Sequence, residues 1–237
     1  MRRKGTFIVI DGIDGAGKAT QTELLLKRFK AEGKKAVRID FPRYYGNVFG
    51  KLIGECLAGE RGDFLNLDPK IASTLYAADR FESKRRIEAW LASGYVVIAD
   101  RYVSSNQIHQ GGKIGNKKKR KEFLEWLDAM EYGVFKIPRP DAIIYLSLPV
   151  KMSLLLLKKS KKLGDKKKRY LNGKKDVVEH SIRYLENSRK SALAIIRRGN
   201  TWKEIICNKG DALLSKEAVH GLVWKEVERV MKQRARR

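Results

Sequence analysis

One short stretch constrains the fold of this chain more than any other. The run Thr6–Asp11, with sequence TFIVID, is rich in β-branched and aromatic residues and predicts a strand. The glycine-rich turn that follows carries the pattern G-x-x-x-x-G-K at Gly12, Gly17 and Lys18. Apolar residues at helical spacing come next. The order strand, loop, helix is typical of a phosphate-binding loop in an α/β protein.

Such a loop is suited to the phosphates of a nucleotide. Its glycines let backbone N–H groups converge on phosphate oxygens at the positive end of the helix. Lys18 adds a charge for the outer phosphates. We therefore expect the following residues to bind ATP: Gly12, Ile13, Asp14, Gly15, Ala16, Gly17, Lys18, Ala19 and Thr20.

The pattern fails at its last position, which bears on the metal. A Ser or Thr hydroxyl normally ligates the Mg²⁺ of the nucleotide there, but this chain has Ala19. Because Mg²⁺ usually keeps several waters, either a water or Thr20 replaces the missing ligand. An apolar strand that ends in an acid is the second requirement of such a site, and VVIAD supplies Asp100. We expect Mg²⁺ at Asp100, Asp14 and Thr20.

Four further apolar segments predict strands. They are the run marked by Val37 and Ile39, YVVIAD at Tyr95–Asp100, DAIIYLSL at Asp141–Leu148 and WKEIIC at Trp202–Cys207. Helical patterns separate them, including one from Pro69 to Gly94 and one from Ser215 to about Arg234. Continuous apolar strands that alternate with helices predict a five-stranded parallel sheet with helices on both faces. No linker composition interrupts the chain, so we expect one domain over residues 1–237.

The charge is the unusual total. The chain has 52 Lys and Arg against 27 Asp and Glu, a net charge of +25, which raises the possibility of a nucleic-acid partner. The excess is concentrated, because the segment from Lys158 to Lys175 holds ten basic residues and one acid. Basic residues concentrated in this way are equally consistent with a lid that closes on phosphates together with solvated surface charges. The sequence shows no recognition-helix or single-strand-binding pattern, so a nucleic-acid-associated ATPase is the weaker alternative.

Compartment and membrane signals are few. No aliphatic run approaches the roughly 20 residues of a membrane span. The basic start MRRKG precedes only four apolar residues, unlike a secretory signal. Cys56 and Cys207 lack the spacing of a metal or redox motif, which favours reduced thiols in a cytoplasmic protein.

Five motifs together resemble the thymidylate kinase family in order, spacing and type. They are GIDGAGKATQ, FPRY, YAADRFE, DRYVSSNQIHQGG and IPRPDAIIYLSLP, and the resemblance extends from about Thr6 to Leu193. It implies a P-loop NTPase fold, a three-layer αβα sandwich with a basic lid. It also implies a homodimer that transfers the γ-phosphoryl group of MgATP to dTMP.

The resemblance implies a role for each matching residue. Asp14 lies near the deoxyribose 3′-hydroxyl and the metal. Arg101 holds the acceptor phosphate, with Arg43 or Tyr44 nearby. The rest of the acceptor site consists of Phe41 and Pro42 as its wall, Tyr76 stacked on the thymine, Arg80 at a base carbonyl, Asn106 and Gln107 at the base edge, and Ser105 and His109 beside them.

Physical chemistry supports two of these roles independently. A monophosphate dianion suits the planar fork of Arg101, and a base suits the aromatic plate of Tyr76. Without the resemblance, we would interpret Tyr76 as a core aromatic and Arg80 as a solvated helix charge.

His109 departs from the family's pattern. The family usually has Tyr or Phe there, an aromatic that crowds the 2′ carbon of the sugar. Imidazole is smaller and polar. The choice of sugar therefore stays open, and with it a broader or different acceptor such as dUMP or another nucleoside monophosphate.

The catalytic arginine is expected in the lid, at about residues 158–175. Some thymidylate kinases carry an arginine directly after the loop acid, but here Gly15 follows Asp14. Arg169 is the only arginine in the basic segment, with Lys168 and Lys158 as alternatives. Positive charge at the transferring group is what phosphoryl transfer requires. The expected catalytic residues are Asp14, Lys18, Arg101 and Arg169.

Overall fold

The computed structural model of the chain describes residues 4–162, 182–197 and 201–235. The strands are β1 (Thr6–Asp11), β2 (Ala36–Asp40), β3 (Val96–Asp100), β4 (Ala142–Ser147), β5 (Trp202–Ile206), β6 (Asn208–Lys209) and β7 (Ala212–Leu213). The helices are α1 (Lys18–Ala31), α2 (Val48–Leu57), α3 (Pro69–Glu82), α4 (Lys84–Ala92), α5 (Val103–Lys113), α6 (Lys117–Asp128), α7 (Val150–Lys162), α8 (Ile182–Ile196) and α9 (Lys216–Ala235). A π-helical turn, Ala129–Val134, follows α6.

The first five strands form one parallel sheet in the order β2-β3-β1-β4-β5. Every residue of the three central strands is buried. Burial on both faces explains why their sequences are continuous apolar runs rather than alternating ones. The edge strands β2 and β5 each expose part of their residues. The predicted five-stranded parallel sheet is confirmed.

Alternate residues of the central strands belong to two separate cores. On one face, Ile10 shares a core with Phe29 of α1 and Trp224 of α9. On the other face, Phe7 and Val9 share a core with side chains of α4, α5 and α6. The sheet is therefore the middle layer of an αβα sandwich, as predicted.

The carboxyl ends of β1 and β3 position the site. The register pairs Ile10 with Asp100, so Asp11 and Asp100 end neighbouring strands at the same edge of the sheet. The chain leaves β1 through the glycine loop and leaves β3 through Arg101. Ligands of parallel α/β sheets bind outside this edge, where the strand order reverses.

Two regions differ from the prediction. The helix expected from Pro69 to Gly94 is two helices, α3 and α4, which meet at the buried Ser83. Helical periodicity continues through this junction without Gly or Pro, so the break leaves no signal. The short hairpin β6–β7 between β5 and α9 was also not predicted, because each of its strands has only two residues.

Some expectations fall on other parts of the chain. Lys168 and Arg169 lie outside the described residues, while Lys158 is exposed on α7. Cys56 and Cys207 are free and buried. Within the three described ranges, no helix is both long and apolar enough to cross a membrane.

Candidate active site

The phosphate loop connects β1 to α1 and wraps around Lys18. The Lys18 ammonium donates hydrogen bonds to the backbone oxygens of Gly12 and Ile13, both at 2.9 Å. Burial and the nearby Arg101 lower the pKa of Lys18. Gly12 and Ile13, which were predicted to contact the nucleotide, are buried at the start of the loop. Ile13 belongs to the hydrophobic core.

Gly15 is the tightest point of the loop. Its φ is 83°, in the left-handed region that favours glycine. A Cβ at this position would stand 2.3 Å from the backbone oxygen of Ser153 in α7. The loop therefore packs directly against α7, and a side chain after the loop acid would clash with α7 where it now lies.

We expect Gly15→Ala to weaken MgATP binding by about tenfold or more, because the loop must move away from α7 and small displacements of a site are costly. Gly33→Ala is the matched control. Gly33 has a φ of 70° and open space around its Cβ position, so it carries similar backbone strain without the clash. Calorimetric titration with MgATP measures both affinities. Equal losses in the two variants would contradict the proposed contact with α7.

Asp11 is a site residue that the sequence did not single out. It is fully buried at the end of β1. It accepts hydrogen bonds from Oγ of Ser104 at 2.5 Å, from Oγ of Ser105 at 2.9 and 3.0 Å, and from the backbone N of Gly12 at 2.8 Å. Asp11 therefore fixes the start of the phosphate loop to the first turn of α5.

Arg101 follows β3 and reaches the loop acid. Its φ of 68° is uncommon for a non-glycine residue and is typical of functional positions. Its Nη2 donates to Asp14, and its Nη1 lies 3.4 Å from Oγ of Ser105 and 3.0 Å from Nε2 of His109. Burial opposes the charge of Arg101, but the Asp14 carboxylate raises its pKa above the ordinary value. The guanidinium is thus charged and held on several sides.

The three predicted metal ligands line one cleft beside the loop. Burial raises the pKa of Asp100, although Lys18 opposes the shift. Asp14 lies 3.6 Å from the Lys18 ammonium, and Thr20 is exposed on the first turn of α1. In the part of the chain that the structure describes, no three His, Cys, Asp or Glu side chains form a metal cluster. Two carboxylates and a hydroxyl suit Mg²⁺, which binds few protein ligands and keeps several waters.

The FPRY segment after β2 forms the opposite wall. Phe41 is buried, with its ring centroid 5.6 Å from that of Tyr102, and the peptide bond between Phe41 and Pro42 is cis. The Arg43 guanidinium donates to Oγ of Ser83 at 3.3 Å. This wall is therefore fixed both to the core and to the junction of α3 and α4.

Tyr76 and Asn106 lie on two helices, α3 and α5, that pack against each other. Tyr76 of α3 is half-buried, and its ring centroid lies 5.9 Å from that of Phe64. Asn106 of α5 is buried and donates from Nδ2 to the backbone oxygen of Ser73 at 3.2 Å. Tyr76 is therefore placed at the surface of a cleft rather than inside the core.

Arg80 is not a solvated helix charge. It is 2% exposed, and its Nε and Nη2 donate to Oε2 and Oε1 of Glu131 at 2.7 and 2.6 Å. Its Nη1 donates to the backbone oxygen of Tyr102 at 3.3 Å. Asn106 also donates to Oε1 of Glu131 at 3.2 Å. Glu131 had no sequence signal, and a contact between Arg80 and a base stays a prediction.

The prediction that Gln107 lies at the base edge needs correction. Successive residues of a helix are turned by about 100°. Gln107 therefore points away from Asn106 and lines a separate cavity between α6 and α8. Gln110, one turn after Asn106, lines the cleft instead. Its Oε1 is buried and accepts no hydrogen bond from the described residues. The i, i+4 spacing could have identified it.

His109 closes the cleft on the side of α8. The side chain is 7% exposed, and its ring stacks on Tyr184 with a centroid distance of 5.7 Å and an interplanar angle of 7°. Burial and the positive Arg101 lower the pKa of His109 to about 3. The imidazole is therefore neutral at physiological pH.

One cleft of about 1120 Å³ joins the two halves of the site. Most of the predicted residues line it. They are Asp14, Gly15, Ala16, Gly17, Lys18, Ala19, Thr20, Phe41, Pro42, Arg43, Tyr44, Tyr76, Arg80, Asp100, Arg101, Ser105, Asn106 and His109. The cleft thus brings a phosphate loop, carboxylates and an arginine fork together with an aromatic pocket.

Comparison with known proteins shows the family. A family model described as thymidylate kinase matches residues 10–221. The chain belongs to the thymidylate kinase family. A probable thymidylate kinase from Pyrococcus abyssi is 34% identical over 220 residues, which cover 92% of this chain and 93% of that protein. The thymidylate kinase of Mycobacterium tuberculosis is 35% identical over 148 residues, 62% of this chain and 68% of that protein.

A solved structure supports the fold. The thymidylate kinase of Candida albicans superposes with a TM-score of 0.72 at 23% identity, over 96% of this chain and 93% of that one. The family model and the relative from Pyrococcus abyssi confirm the resemblance carried by the five motifs. Members of the thymidylate kinase family are nucleoside monophosphate kinases, and membership implies phosphorylation of dTMP by ATP.

Proposed function

We propose that this chain transfers the γ-phosphoryl group of MgATP to dTMP, giving dTDP and ADP, as a step toward dTTP. The observation that carries the proposal is the position of Arg101. Its guanidinium reaches the loop acid Asp14 on one side and α5 on the other, within one cleft. Phosphoryl transfer depends mainly on positioning and charge stabilisation, so the transfer is in line and forms no covalent enzyme intermediate.

The donor half is the phosphate loop. Its backbone N–H groups bind the ATP phosphates at the start of α1, and Lys18 neutralises the outer phosphates. Because the Lys18 ammonium is buried, its charge acts in surroundings that weaken solvent screening. Bound Mg²⁺ supplies further positive charge to the phosphates, and Asp100, Asp14 and Thr20 are the residues that would hold it.

The acceptor half is the aromatic pocket. Phe41 and Pro42 form its wall, and Tyr76 offers its ring to the thymine. Asn106 is placed to contact the base edge. The Arg101 fork binds the acceptor phosphate, with Arg43 or Tyr44 near the same group.

The metal site can be tested by removing single ligands. We expect Asp100→Asn to raise the Mg²⁺ concentration for half-maximal rate by at least about tenfold. Ala19→Ser should change it by less than about threefold, because a water or Thr20 takes the place of the missing hydroxyl. Asp40→Asn is the matched control, since Asp40 ends β2 beside Asp100 and is more exposed. Rates at varied Mg²⁺ decide. A normal Mg²⁺ requirement in Asp100→Asn would remove Asp100 from the metal site.

The lid, the catalytic arginine, the compartment and the assembly belong to the same proposal. The basic segment 158–175 is a lid of a single domain, residues 1–237, and Arg169 supplies the catalytic arginine, with Lys168 and Lys158 as alternatives. The enzyme acts as a cytoplasmic homodimer. Two observations support the assignment of the catalytic arginine to the lid. The chain belongs to the thymidylate kinase family, and a side chain in place of Gly15, directly after the loop acid, would clash with α7.

A second candidate keeps the chemistry but broadens the acceptor. His109 replaces the bulkier aromatic that the family usually carries, and the thymidylate kinase of Candida albicans is itself described as having broad substrate specificity. A hydrophobic pocket that only crowds an added hydroxyl discriminates by about 10²-fold. Activity on dUMP or a ribonucleotide is therefore the expected form of breadth.

One assay tests both candidates. ADP release from MgATP is measured with dTMP, the ribose analogue of dTMP, dUMP, dCMP, dGMP and UMP in turn. A preference for dTMP supports the proposed function, and similar kcat/KM values across the set support the broader kinase. ADP release that occurs only with DNA or RNA would favour the nucleic-acid-associated ATPase instead.

A further inference from the structure

His109 connects Arg101, the arginine proposed to bind the acceptor phosphate, to helix α8. Its Nε2 lies 3.0 Å from Nη1 of Arg101, and its Nδ1 lies 3.1 Å from Oγ of Ser188 in α8. The ring face stacks on Tyr184, one turn earlier in α8. Both nitrogens and one face of the imidazole therefore have defined contacts.

The direction of each hydrogen bond follows from the chemistry of the groups. A guanidinium nitrogen can only donate, so Nε2 of His109 must accept from Arg101. The proton of the neutral ring then resides on Nδ1, which donates to Oγ of Ser188. The Ser188 hydroxyl donates in turn to the backbone oxygen of Tyr184 at 2.8 Å. The chain of donors is consistent from Arg101 to the backbone of α8.

The spacing of α5 and α8 fixes this arrangement. A Cβ at Gly112 would stand 3.0 Å from the Cα of Ser188, and one at Gly111 would stand 3.3 Å from Oγ of Ser191. The two glycines allow the helices to approach so closely that the short Ser188 side chain reaches the imidazole. If α5 and α8 were further apart, the Ser188 side chain would not reach the imidazole, and His109 would lose the contact that fixes its orientation.

We propose that His109, aimed by Ser188 and Tyr184, is a positioning residue that sets the plane of the Arg101 guanidinium for the acceptor phosphate. The inference rests on the proposed function, which assigns the acceptor phosphate to Arg101. Asp14 holds Nη2, and His109 holds Nη1. These two contacts orient the fork. A phenylalanine at position 109 has no acceptor, so it would leave Nη2 on Asp14 and Nη1 with only the longer contact to Oγ of Ser105 at 3.4 Å.

Three variants of the kinase separate this role from simple packing. His109→Phe keeps a flat ring against Tyr184 but removes both nitrogens, and we expect it to lower kcat/KM for dTMP by about tenfold, as for the loss of one hydrogen bond to a charged group. His109→Gln, which restores an acceptor near the position of Nε2, should recover most of that loss. Ser188→Ala should lower kcat/KM by about threefold. KM for ATP should stay unchanged in all three.

Ser191→Ala is the matched control. The Ser191 hydroxyl is buried in the same contact between α5 and α8, but it donates to the backbone oxygen of Gln107 rather than to His109. It should lower Tm about as much as Ser188→Ala while leaving dTMP kinetics unchanged. His109→Phe in an Arg101→Lys background should add little further loss. Additive losses would overturn the proposal, as would His109→Phe kinetics that change only with the ribose analogue.

A measurement independent of activity keeps the inference testable if dTMP is not the acceptor. Nitrogen NMR of the imidazoles, assigned by the signals lost in His109→Phe, should show His109 as the neutral tautomer protonated at Nδ1. The Nε2 resonance should shift in Arg101→Lys. A ring protonated at Nε2 contradicts the positioning role. Lack of dTMP turnover in the unmodified enzyme would overturn the proposed function alone.

Discussion

We expect Arg101→Lys to lower kcat/KM for dTMP by about a hundredfold, the largest kinetic effect that we predict for a single substitution in this chain. Lysine keeps the charge and tolerates the left-handed backbone no worse than arginine does. It loses the planar fork that contacts Asp14 and His109 together. A single ammonium cannot keep both contacts and also bind an acceptor phosphate in two places.

Steady-state kinetics with dTMP varied at saturating MgATP measure the effect. Arg139→Lys is the control, because Arg139 also forms a two-point ion pair, with Asp128, but lies outside the cleft. It should leave kcat/KM within about twofold, as expected for an exposed pair. Near-normal kcat and KM in Arg101→Lys would show that the acceptor phosphate binds elsewhere.

The sequence predicted the parts of this structure that depend on residues close together in the chain. The strand, the glycine loop and the first helix lie within about two dozen consecutive residues, and each step has its own chemical signature. Asp100 and Arg101 follow directly from the end of a buried strand. The contact between Arg101 and Asp14 follows from parallel pairing, because neighbouring strands end at one edge of the sheet.

Contacts between distant segments left no comparable signal. Glu131 pairs with Arg80 across 51 positions, and Ser188 meets His109 across 79 positions. Glu131 sits in a π-helical turn that no periodicity indicates. In the sequence, Asp11 could not be distinguished from any other acid at the end of a strand. In the structure it is buried and accepts hydrogen bonds from Gly12, Ser104 and Ser105, which attach the phosphate loop to α5.

Helix faces were a second source of error. Gly111 and Gly112 lie in the last turn of α5, where they allow α8 to approach, and the sequence did not indicate this role. The family motif named Asn106 and Gln107 together, although adjacent residues of a helix cannot share one face. Only the placement of α5 on the sheet decided that Gln110 rather than Gln107 lines the cleft.

The buried pair of Arg80 and Glu131 is expected to give the largest effect on stability. Glu131→Gln keeps the shape of the side chain but removes its charge, and so leaves the Arg80 guanidinium, which is 2% exposed, without its counterion. Burial by itself disfavours the charge of Arg80; Glu131 contributes most to raising its pKa, and Asp79 contributes less. Breaking a buried ion pair from one side typically costs about 3–5 kcal/mol. Denaturant unfolding should show a loss of this size in the free energy of unfolding.

Glu125→Gln serves as the control for that loss. Glu125 lies in α6, in an exposed ion pair with Lys121. Its substitution should change the free energy of unfolding by less than about 1 kcal/mol. Equal stability of Glu131→Gln and the unmodified chain would show that the Arg80 charge is compensated elsewhere.

Replacing both partners separates the structural role of the pair from the proposed role of Arg80 in recognising the base. The double change Arg80→Met with Glu131→Leu removes both buried charges together, and apolar replacement of a buried pair is often neutral for stability. Asn106 keeps its hydrogen bond to the backbone of Ser73 in that variant. We therefore expect stability to recover while KM for dTMP rises by about tenfold or more, because a base carbonyl then loses its charged donor. Recovery of both stability and KM would restrict Arg80 to the architecture of the pocket and remove it from recognition of the base.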